Sequence, residues 1–322
     1  MKKMLAIILA LATVFALVSC GGGSDSAEGG KTELVFTTGG ETGTYYAFGG
    51  VIAQSVTTNT DVSVTAVSSD GSKANVLLLA AGDAQLGFCQ SDVMAYAFNG
   101  TSTFADVGKV SDFSTVANLY MEQVQIVTCD PSIKTVDDLR GKKVSIGAAG
   151  SGVYFNAIDI LGAYGMTESD IVANFQNFAD SADSLTDGTI DAAFIVAGAP
   201  TTAITTLATG KDVYLVNLDD EHIDKLMETS PYYSKAVIPA DAYGLASDTT
   251  TVAVGAVVIA RDDVSEDAVY AFVSDIFTNK DSLAHGKAAE LDINFAANVT
   301  AVPYHPGAAK YFAEQNISVP TK

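Results

Sequence analysis

The feature that most constrains this chain is a regular alternation of short β-rich runs with longer runs of helical periodicity. The first unit predicts strands at 33–37, 62–67 and 84–89, with a helix over 45–57 and a second helix that ends at Ala80. In the first helix the apolar residues fall at helical spacing. Such an alternation is typical of layered α/β proteins and predicts a parallel sheet with right-handed crossovers.

A second unit of the same kind starts near Val124. Its predicted strands lie at 125–129, 143–146, 192–196 and 213–216, and its helices at 153–164 and 201–208. The apolar run 251–260 predicts a buried strand that returns to the first unit, and helices at 265–278 and 307–315 close the chain. We expect two α/β domains, residues 32–123 with 251–322 and residues 124–250, because about 290 residues exceed the usual size of a single core.

The N-terminus resembles an export signal. Two lysines precede an apolar run over 4–18, which is shorter than the roughly 20 residues that span a bilayer. The run ends in Leu17-Val18-Ser19-Cys20, which resembles the bacterial lipobox and predicts removal of residues 1–19 and lipidation of Cys20. A plain signal peptide with an incidental cysteine is the alternative. Residues 20–31 are rich in Gly, Ser and acidic side chains and predict a flexible tether, so we expect an extracytoplasmic, lipid-anchored protein.

The charge balance excludes nucleic acid as a partner. The 322 residues include 38 acidic and 17 basic side chains, for a net charge of −21, without the basic stripe that nucleic-acid binding requires. After Cys20 only Cys89 and Cys129 remain, both in apolar, strand-like runs. A disulfide between them is possible in an oxidising compartment, and two buried thiols are the interpretation that we favour.

Glycine and hydroxyl residues fill the loops that join a strand to a helix at matching positions of the two units. In open α/β sheets, ligands bind outside the carboxyl ends of strands, where a helix N-terminus favours an anion. The predicted ligand-binding residues are Gly39, Thr42, Gly43, Thr44 and Tyr45 in the first loop and Gly150, Ser151, Gly152 and Val153 in the second. We expect the two loops, one on each domain, to face each other across a cleft.

Two further turns lie at the carboxyl ends of predicted strands. Gln90, Ser91 and Asp92 are predicted to form a ligand-binding loop after the third strand, and Gly198 and Pro200 follow the strand at 192–196. The start of a helix explains Gly198 and Pro200 as well as a ligand contact does.

Signals for catalysis are weak, and we predict no enzyme activity, no cofactor and no metal. His222 lies in an acidic run at a helix start, His285 in a polar turn, and His305 before a proline. Ser151 lacks the G-x-S-x-G elbow of hydrolases. No H-E-x-x-H, EF-hand or Walker A pattern occurs in the sequence.

Several segments, in order along the chain, resemble one family. They include Thr37-Thr-Gly-Gly-Glu-Thr-Gly-Thr-Tyr-Tyr46, Gly82-Asp-Ala-Gln-Leu-Gly-Phe-Cys-Gln-Ser-Asp92, Gly147-Ala-Ala-Gly-Ser-Gly152 and His305-Pro-Gly-Ala308. From about residue 33 onward the chain is similar to the TAXI family, the extracytoplasmic solute receptors of TRAP transporters. The resemblance implies the type II periplasmic-binding-protein fold, in which two α/β domains joined by a hinge enclose the ligand.

The resemblance also implies a ligand and partners. The ligand would be a small organic anion of the glutamate/glutamine or 2-oxo/dicarboxylate kind, the partners would be the membrane subunits of a TRAP transporter, and we expect a monomer. An ABC-type solute-binding lipoprotein, or a surface-tethered sensor or antigen not coupled to transport, are the alternatives. The sequence contains only two arginines, Arg140 in a polar turn and Arg261 before an acidic stretch, and neither is well placed to bind a carboxylate. We therefore expect backbone N–H groups, hydroxyls and helix ends to hold a carboxylate.

Overall fold

The computed structural model describes residues 30–322, so the predicted signal peptide, Cys20 and most of the predicted tether lie outside the described residues. The first unit contains β1 (Thr32–Thr37), α1 (Thr44–Asn59), β2 (Val62–Val67), α2 (Ser72–Ala81), β3 (Leu86–Gln90) and α3 (Ser91–Asn99). Strand β1 pairs in parallel with both β2 and β3. The parallel βαβαβ unit predicted from the sequence is therefore confirmed.

The rest of the chain continues the alternation. It contains β4 (Phe113–Thr128), β5 (Lys143–Ser145), α4 (Val153–Ala163), β6 (Val172–Asn174), α5 (Phe178–Asp187), β7 (Ala192–Ala197), α6 (Thr202–Ala208), β8 (Tyr214–Leu215), α7 (Asp220–Thr229), β9 (Ser234–Ile238), β10 (Thr249–Arg261), α8 (Glu266–Thr278), α9 (Ile293–Ala296) and α10 (Pro306–Glu314). Local signals explain several boundaries. Thr135 and Asp138 form a capping box at the start of a 3₁₀ turn over Val136–Leu139, and Gly165 follows α4 with a φ of +66°.

The strands of the described chain form one sheet in the order β2-β1-β3-β10-β4-β7-β5-β6, with β8 and β9 paired to β4 and β10. The long strands β4 and β10 are antiparallel neighbours. One end of β4 pairs with β7, and the two ends of β10 pair with β9 and β3. Each of these two strands therefore extends from one half of the sheet into the other.

The hydrophobic core is divided into separate clusters, and the division falls within these same two strands. One cluster contains buried residues from Leu34 to Tyr120 and from Ala256 to Phe312. Two further clusters contain buried residues only from the segment between Val124 and Val254. The division of the core is that expected for two domains, and the domain boundaries themselves stay a prediction.

Three local expectations are wrong. Gln90, Ser91 and Asp92 form no loop, because Gln90 ends β3 and Ser91 opens α3, whose first turn holds Asp92 where the helix dipole favours a carboxylate. The strand predicted at 125–129 is only the end of β4, since residues 113–124 are extended as well. Cys89 is buried as expected but Cys129 is only half-buried, and both thiols are free.

No helix within residues 30–322 has the length and apolar character needed to cross a membrane.

Candidate functional site

A small cavity lies between the two halves of the chain, where several helices begin. Its wall is formed by Gly39, Gly40, Gly43, Thr44, Tyr45, Ser69, Asp70, Gly71, Ser72, Gln90, Glu122, Ala148, Ser151, Gly152, Val153, Asn177, Phe178, Val196 and Ala197. The cavity has a volume of about 60 Å³. This is far below the several hundred Å³ that are usual for drug-sized ligands, so the closed cavity suits a small solute.

The structure brings together most of the residues predicted from the sequence. Those that line the cavity are Gly39, Gly43, Thr44, Tyr45, Gln90, Ser151, Gly152 and Val153, so the two glycine- and hydroxyl-rich loops do face each other. Those that do not line it are Thr42, Ser91, Asp92, Gly150, Gly198 and Pro200. A ligand contact for any of them stays a prediction.

Three of the residues outside the wall join the two halves of the chain instead. The carbonyl of Thr42 accepts a hydrogen bond from the Ala203 amide at 3.1 Å, and the carbonyl of Gly150 accepts one from the Ala74 amide at 3.0 Å. The carbonyl of Gly198 accepts a hydrogen bond from the Thr44 hydroxyl at 2.8 Å. These bonds fix the distance between the facing loops.

Pro200 and Ser91 have other surroundings. Pro200 is exposed two residues before α6, which fits its interpretation as a residue near a helix start. The Ser91 hydroxyl accepts a hydrogen bond from the Gly255 amide at 3.0 Å and so ties α3 to β10.

Helix N-termini make one side of the cavity favourable for an anion. Helices α1, α2 and α4 begin at Thr44, Ser72 and Val153, and no side chain caps any of the three. The first N–H groups of a helix have no partner within the helix and carry a partial positive charge. Gly71, with a φ of +100°, lets α2 start close to the backbone of Ser151. The Ala74 amide of α2 is used by the Gly150 carbonyl, and the remaining first N–H groups of the three helices are the donors that this small space offers.

One carboxyl group is buried in the wall of the cavity, next to the start of α1. Glu122 of β4 is 2% exposed, and its Oε2 accepts a hydrogen bond from the Tyr45 hydroxyl at 2.6 Å. The ring of Tyr45 stacks on Phe88 with 4.5 Å between the centroids, which fixes this hydroxyl. Burial raises the pKa of Glu122 well above its usual range, and it outweighs the opposing effects of the Tyr45 hydrogen bond and of Lys287. The loss of hydration therefore disfavours the ionised form of this carboxyl.

A second buried polar cluster lies beside the cavity and holds α4 against α3. The Gln90 amide nitrogen donates to Asn156 Oδ1 at 3.0 Å, and Asn156 Nδ2 donates to Asp92 at 3.0 Å and to the Tyr233 hydroxyl at 2.7 Å. Tyr233 donates in turn to Asp159 at 2.9 Å. Burial, reinforced by the nearby charge of Asp159, raises the pKa of Asp92 to about 7. A carboxyl that titrates near neutrality therefore lies at the contact between the two halves.

Several residues of the wall were not predicted from the sequence. The segment 68–72 has the same glycine and hydroxyl composition between a strand and a helix as the two predicted loops, so its signal was present. Glu122 lies inside the apolar strand β4, and Asn177 and Phe178 begin the unpredicted helix α5. Nothing in their local sequence distinguishes these three residues from core or surface positions.

Among the described residues, the cavity wall contains no basic side chain and no group of metal ligands. Arg140 forms ion pairs with Asp137 and Asp170, and Arg261 forms one with Asp263. No lysine, arginine or histidine lines the cavity among the described residues. Within residues 30–322, no three His, Cys, Asp or Glu side chains are grouped so as to hold a metal ion.

The sequence from residue 36 to residue 315 matches the model of the NMT1-like family. The chain belongs to the NMT1-like family. The match covers most of the chain, including both halves of the cavity wall. The TAXI family is a finer assignment than this match supports.

The fold of this NMT1-like protein resembles solved structures of low sequence identity. A protein from Bordetella bronchiseptica RB50 matches with a TM-score of 0.53 and 16% identity, over 82% of this chain and 77% of that one. The alkanesulfonate-binding protein SsuA from Xanthomonas axonopodis pv. citri, bound to MOPS, matches with a TM-score of 0.49 and 14% identity, over 89% and 85% of the two chains. The sheet order, with the long antiparallel strands β4 and β10 passing between the two halves, confirms the type II periplasmic-binding-protein fold predicted from the sequence.

Proposed function

We propose that this NMT1-like protein is an extracytoplasmic solute-binding receptor of the TAXI kind, which captures a small organic anion for the membrane subunits of a TRAP transporter. The observation that carries the proposal is the meeting of three uncapped helix N-termini at one small cavity. The anion would be glutamate, glutamine or a 2-oxo or dicarboxylic acid. Lipidation of Cys20 would hold the receptor at the outer face of the membrane, with residues 20–31 as its tether.

Backbone donors can supply the affinity that such a receptor needs. Hydrogen bonds to a charged group contribute about 1.5–3 kcal/mol each. Micromolar binding requires roughly 8 kcal/mol. Three to five bonds from the N–H groups of α1, α2 and α4 reach this value without an arginine. The pattern suits binding rather than catalysis, because the wall offers donors but no nucleophile paired with a base.

Thermal unfolding against a panel of amino acids, 2-oxo acids, dicarboxylates and sugars tests this function. The protein from Lys31 to Lys322 is first unfolded and refolded, which removes any solute retained from the cell. A ligand at 100 times its Kd stabilises by about 2.7 kcal/mol, and we expect a rise of a few degrees confined to the organic anions. A rise with sugars alone, or with no compound, would contradict the anion receptor.

Two variants test the location of the site. Tyr45→Phe removes the hydroxyl that holds Glu122, and Ser151→Ala removes a cavity hydroxyl that donates to the Ala148 carbonyl at 2.7 Å. We expect weaker binding of the active compound by both variants, which remain folded, and no change for Tyr270→Phe, whose hydroxyl lies on the exposed surface. Unchanged affinity in both cavity variants would refute this site.

The transporter is identified in cells. Deletion of the TRAP membrane subunits should abolish uptake of the bound solute. Uptake that persists would favour an ABC-type transporter as the partner. A solute that binds but is never taken up would favour a surface sensor or antigen.

A further inference from the structure

The carboxyl of Glu122 has one oxygen that the protein does not use. Its Oε2 is held by Tyr45, whereas its Oε1 has no hydrogen-bond partner among the described residues. Glu122 is almost completely buried and lines the cavity. The cavity is therefore the place where Oε1 finds a partner, and that partner belongs to whatever the cavity encloses.

The charged and titratable groups around Glu122 offer it no counter-ion in the wall. Tyr45 on α1 is a neutral donor, and Asp92 on α3 is a second acid. Two more neutral groups, Cys89 on β3 and Tyr120 on β4, are buried nearby. Lys287 approaches from the 3₁₀ turn at Gly286–Glu290, but its ammonium is engaged by Glu290 at 2.5 Å. An ionised Glu122 would thus face an enclosed anion with little compensation.

Two like charges in one small, largely buried cavity are unfavourable, and a shared proton relieves the repulsion. Burial already shifts the pKa of Glu122 in the direction of the neutral acid. A neutral Glu122 with Oε2 accepting from Tyr45 carries its proton on Oε1. That proton is available to an oxygen of the ligand, in a hydrogen bond to a charged acceptor.

We propose that Glu122 is a specificity-determining residue that binds the ligand in its protonated form and donates a hydrogen bond from Oε1 to an anionic oxygen, so that anion and proton enter the closed cavity together. The proposal rests on the proposed function as an anion receptor. The proton comes from solvent when the cleft closes, and it returns to solvent when the cleft opens. Anions with an oxygen at this point gain the bond, whereas a ligand with an ammonium there would require the ionised carboxylate.

Calorimetric titration of the purified protein with 2-oxoglutarate and with L-glutamate, from pH 5.5 to 8.5, tests the proposal. The carboxylates of both probes stay ionised over this range. We expect affinity to fall as pH rises, approaching about tenfold per pH unit at the alkaline end. Titrations near neutral pH in buffers of different ionisation enthalpy should show net uptake of a proton.

Glu122→Gln is the decisive variant. Its amide keeps an acceptor for Tyr45 and a donor for the ligand, so we expect affinity close to that of the wild type at low pH and no dependence on pH. Asp92→Asn distinguishes the effect of Asp92 from that of Glu122. A dependence of affinity on pH that persists in this variant originates at Glu122. If the dependence of affinity on pH were abolished by Asp92→Asn but retained in Glu122→Gln, the proposal would be overturned.

Other outcomes distinguish this proposal from the function on which it rests. Binding of either probe with an affinity independent of pH, or a loss of more than about tenfold in Glu122→Gln at pH 6, would overturn the role of Glu122 and leave the receptor standing. Failure of the wild-type protein to bind either probe, or any other anion of the panel, would refute the anion receptor and this inference with it.

Discussion

At the scale of single residues, the unusual feature is the number of acids that are buried without a basic partner. The buried Glu122 and Asp92 and the half-buried Asp159 all have a raised pKa, and in each the main cause is loss of hydration. Hydrogen bonds from Tyr45, Asn156 and Tyr233 to these acids lower the pKa only in part. Burial of this kind destabilises a fold at neutral pH, and it is usual at functional sites.

Asp92→Asn should stabilise the protein at neutral pH. Below pH 4, Asp92 is protonated in both the folded and the unfolded state. As pH rises through 4 to 7, the unfolded state releases its proton while the folded state, with a pKa of about 7 instead of 3.8, retains it. Stability is therefore lost over this range, by up to about 4 kcal/mol, and Asn avoids the loss.

Urea unfolding of both proteins at pH 4 and pH 8 measures this effect. The stability difference should be small at pH 4 and should favour Asp92→Asn at pH 8. Equal differences at the two pH values would show that Asp92 does not titrate in this range.

Residues of the cavity differ in how far the sequence can predict them. Gly43, Thr44 and Ser151 lie where a strand joins a helix, and the matching glycine and hydroxyl composition of the two junctions predicted that they face each other, as they do. Glu122 was not predicted, because a single acid in an apolar strand is recognisable only when the strands and helices around it are in place. Asp92 was predicted to lie in a loop because it follows the third strand, whereas α3 begins directly at the end of that strand.

At the scale of elements, the start of α4 decides whether the two halves can close. Gly152, its N-cap, packs against the side chain of Gln90 on β3, and a methyl group there would overlap that amide and lie 2.9 Å from Val93. The next residues of α4 supply donors to the cavity. The glycine is therefore required for close approach and not for an unusual backbone angle.

Gly152→Ala should weaken ligand binding by more than about tenfold, because the added methyl group displaces α4 from Gln90 and keeps the cavity open. Gly162→Ala in the same helix is the matched control, since a methyl group at Gly162 meets no atom within 4 Å. We expect it to bind normally and to be slightly more stable through helix propensity. Calorimetry with the compound identified by thermal unfolding compares the two variants. Normal binding by Gly152→Ala would contradict the tight contact.

Elements themselves were predicted best where the pattern was long. Helix α1 and strand β10 were both placed within two residues of their observed ends. Helices α3 and α5 were missed. Helix α3 follows β3 without a connecting turn, so no loop signal marks its start. Helix α5 is short and polar, so few apolar residues mark its helical period.

At the scale of the whole molecule, β4 and β10 are the connections along which the two halves can move. Each strand leaves one hydrophobic cluster and enters another, while the contacts across the cleft include individual hydrogen bonds such as those of Thr44 and Gln90. The sequence predicted two domains from the length of the chain, and the return to the first domain from the apolar run near residue 251. It could not predict that the described form is closed, because closure depends on contacts such as Thr44 with Gly198 that are far apart in sequence.

We therefore expect the ligand-free protein to be more open in solution than the described structure. Closing the empty cavity leaves the Oε1 of Gln90 and the Oδ1 of Asp92 buried without a hydrogen-bond partner, which costs about 1–3 kcal/mol each. Binding of an anion at the helix N-termini offsets this cost and selects the closed form. Small-angle X-ray scattering should show a smaller radius of gyration when the active compound is added, approaching the value calculated from the closed structure.

Gly152→Ala provides the control for this measurement, because it should stay expanded at ligand concentrations that contract the wild-type protein. Contraction of both proteins would show that the contact between α4 and Gln90 does not govern closure. An unchanged radius in the wild type with saturating ligand would contradict a hinge along β4 and β10, and the ligand would then have to enter a cavity that stays closed.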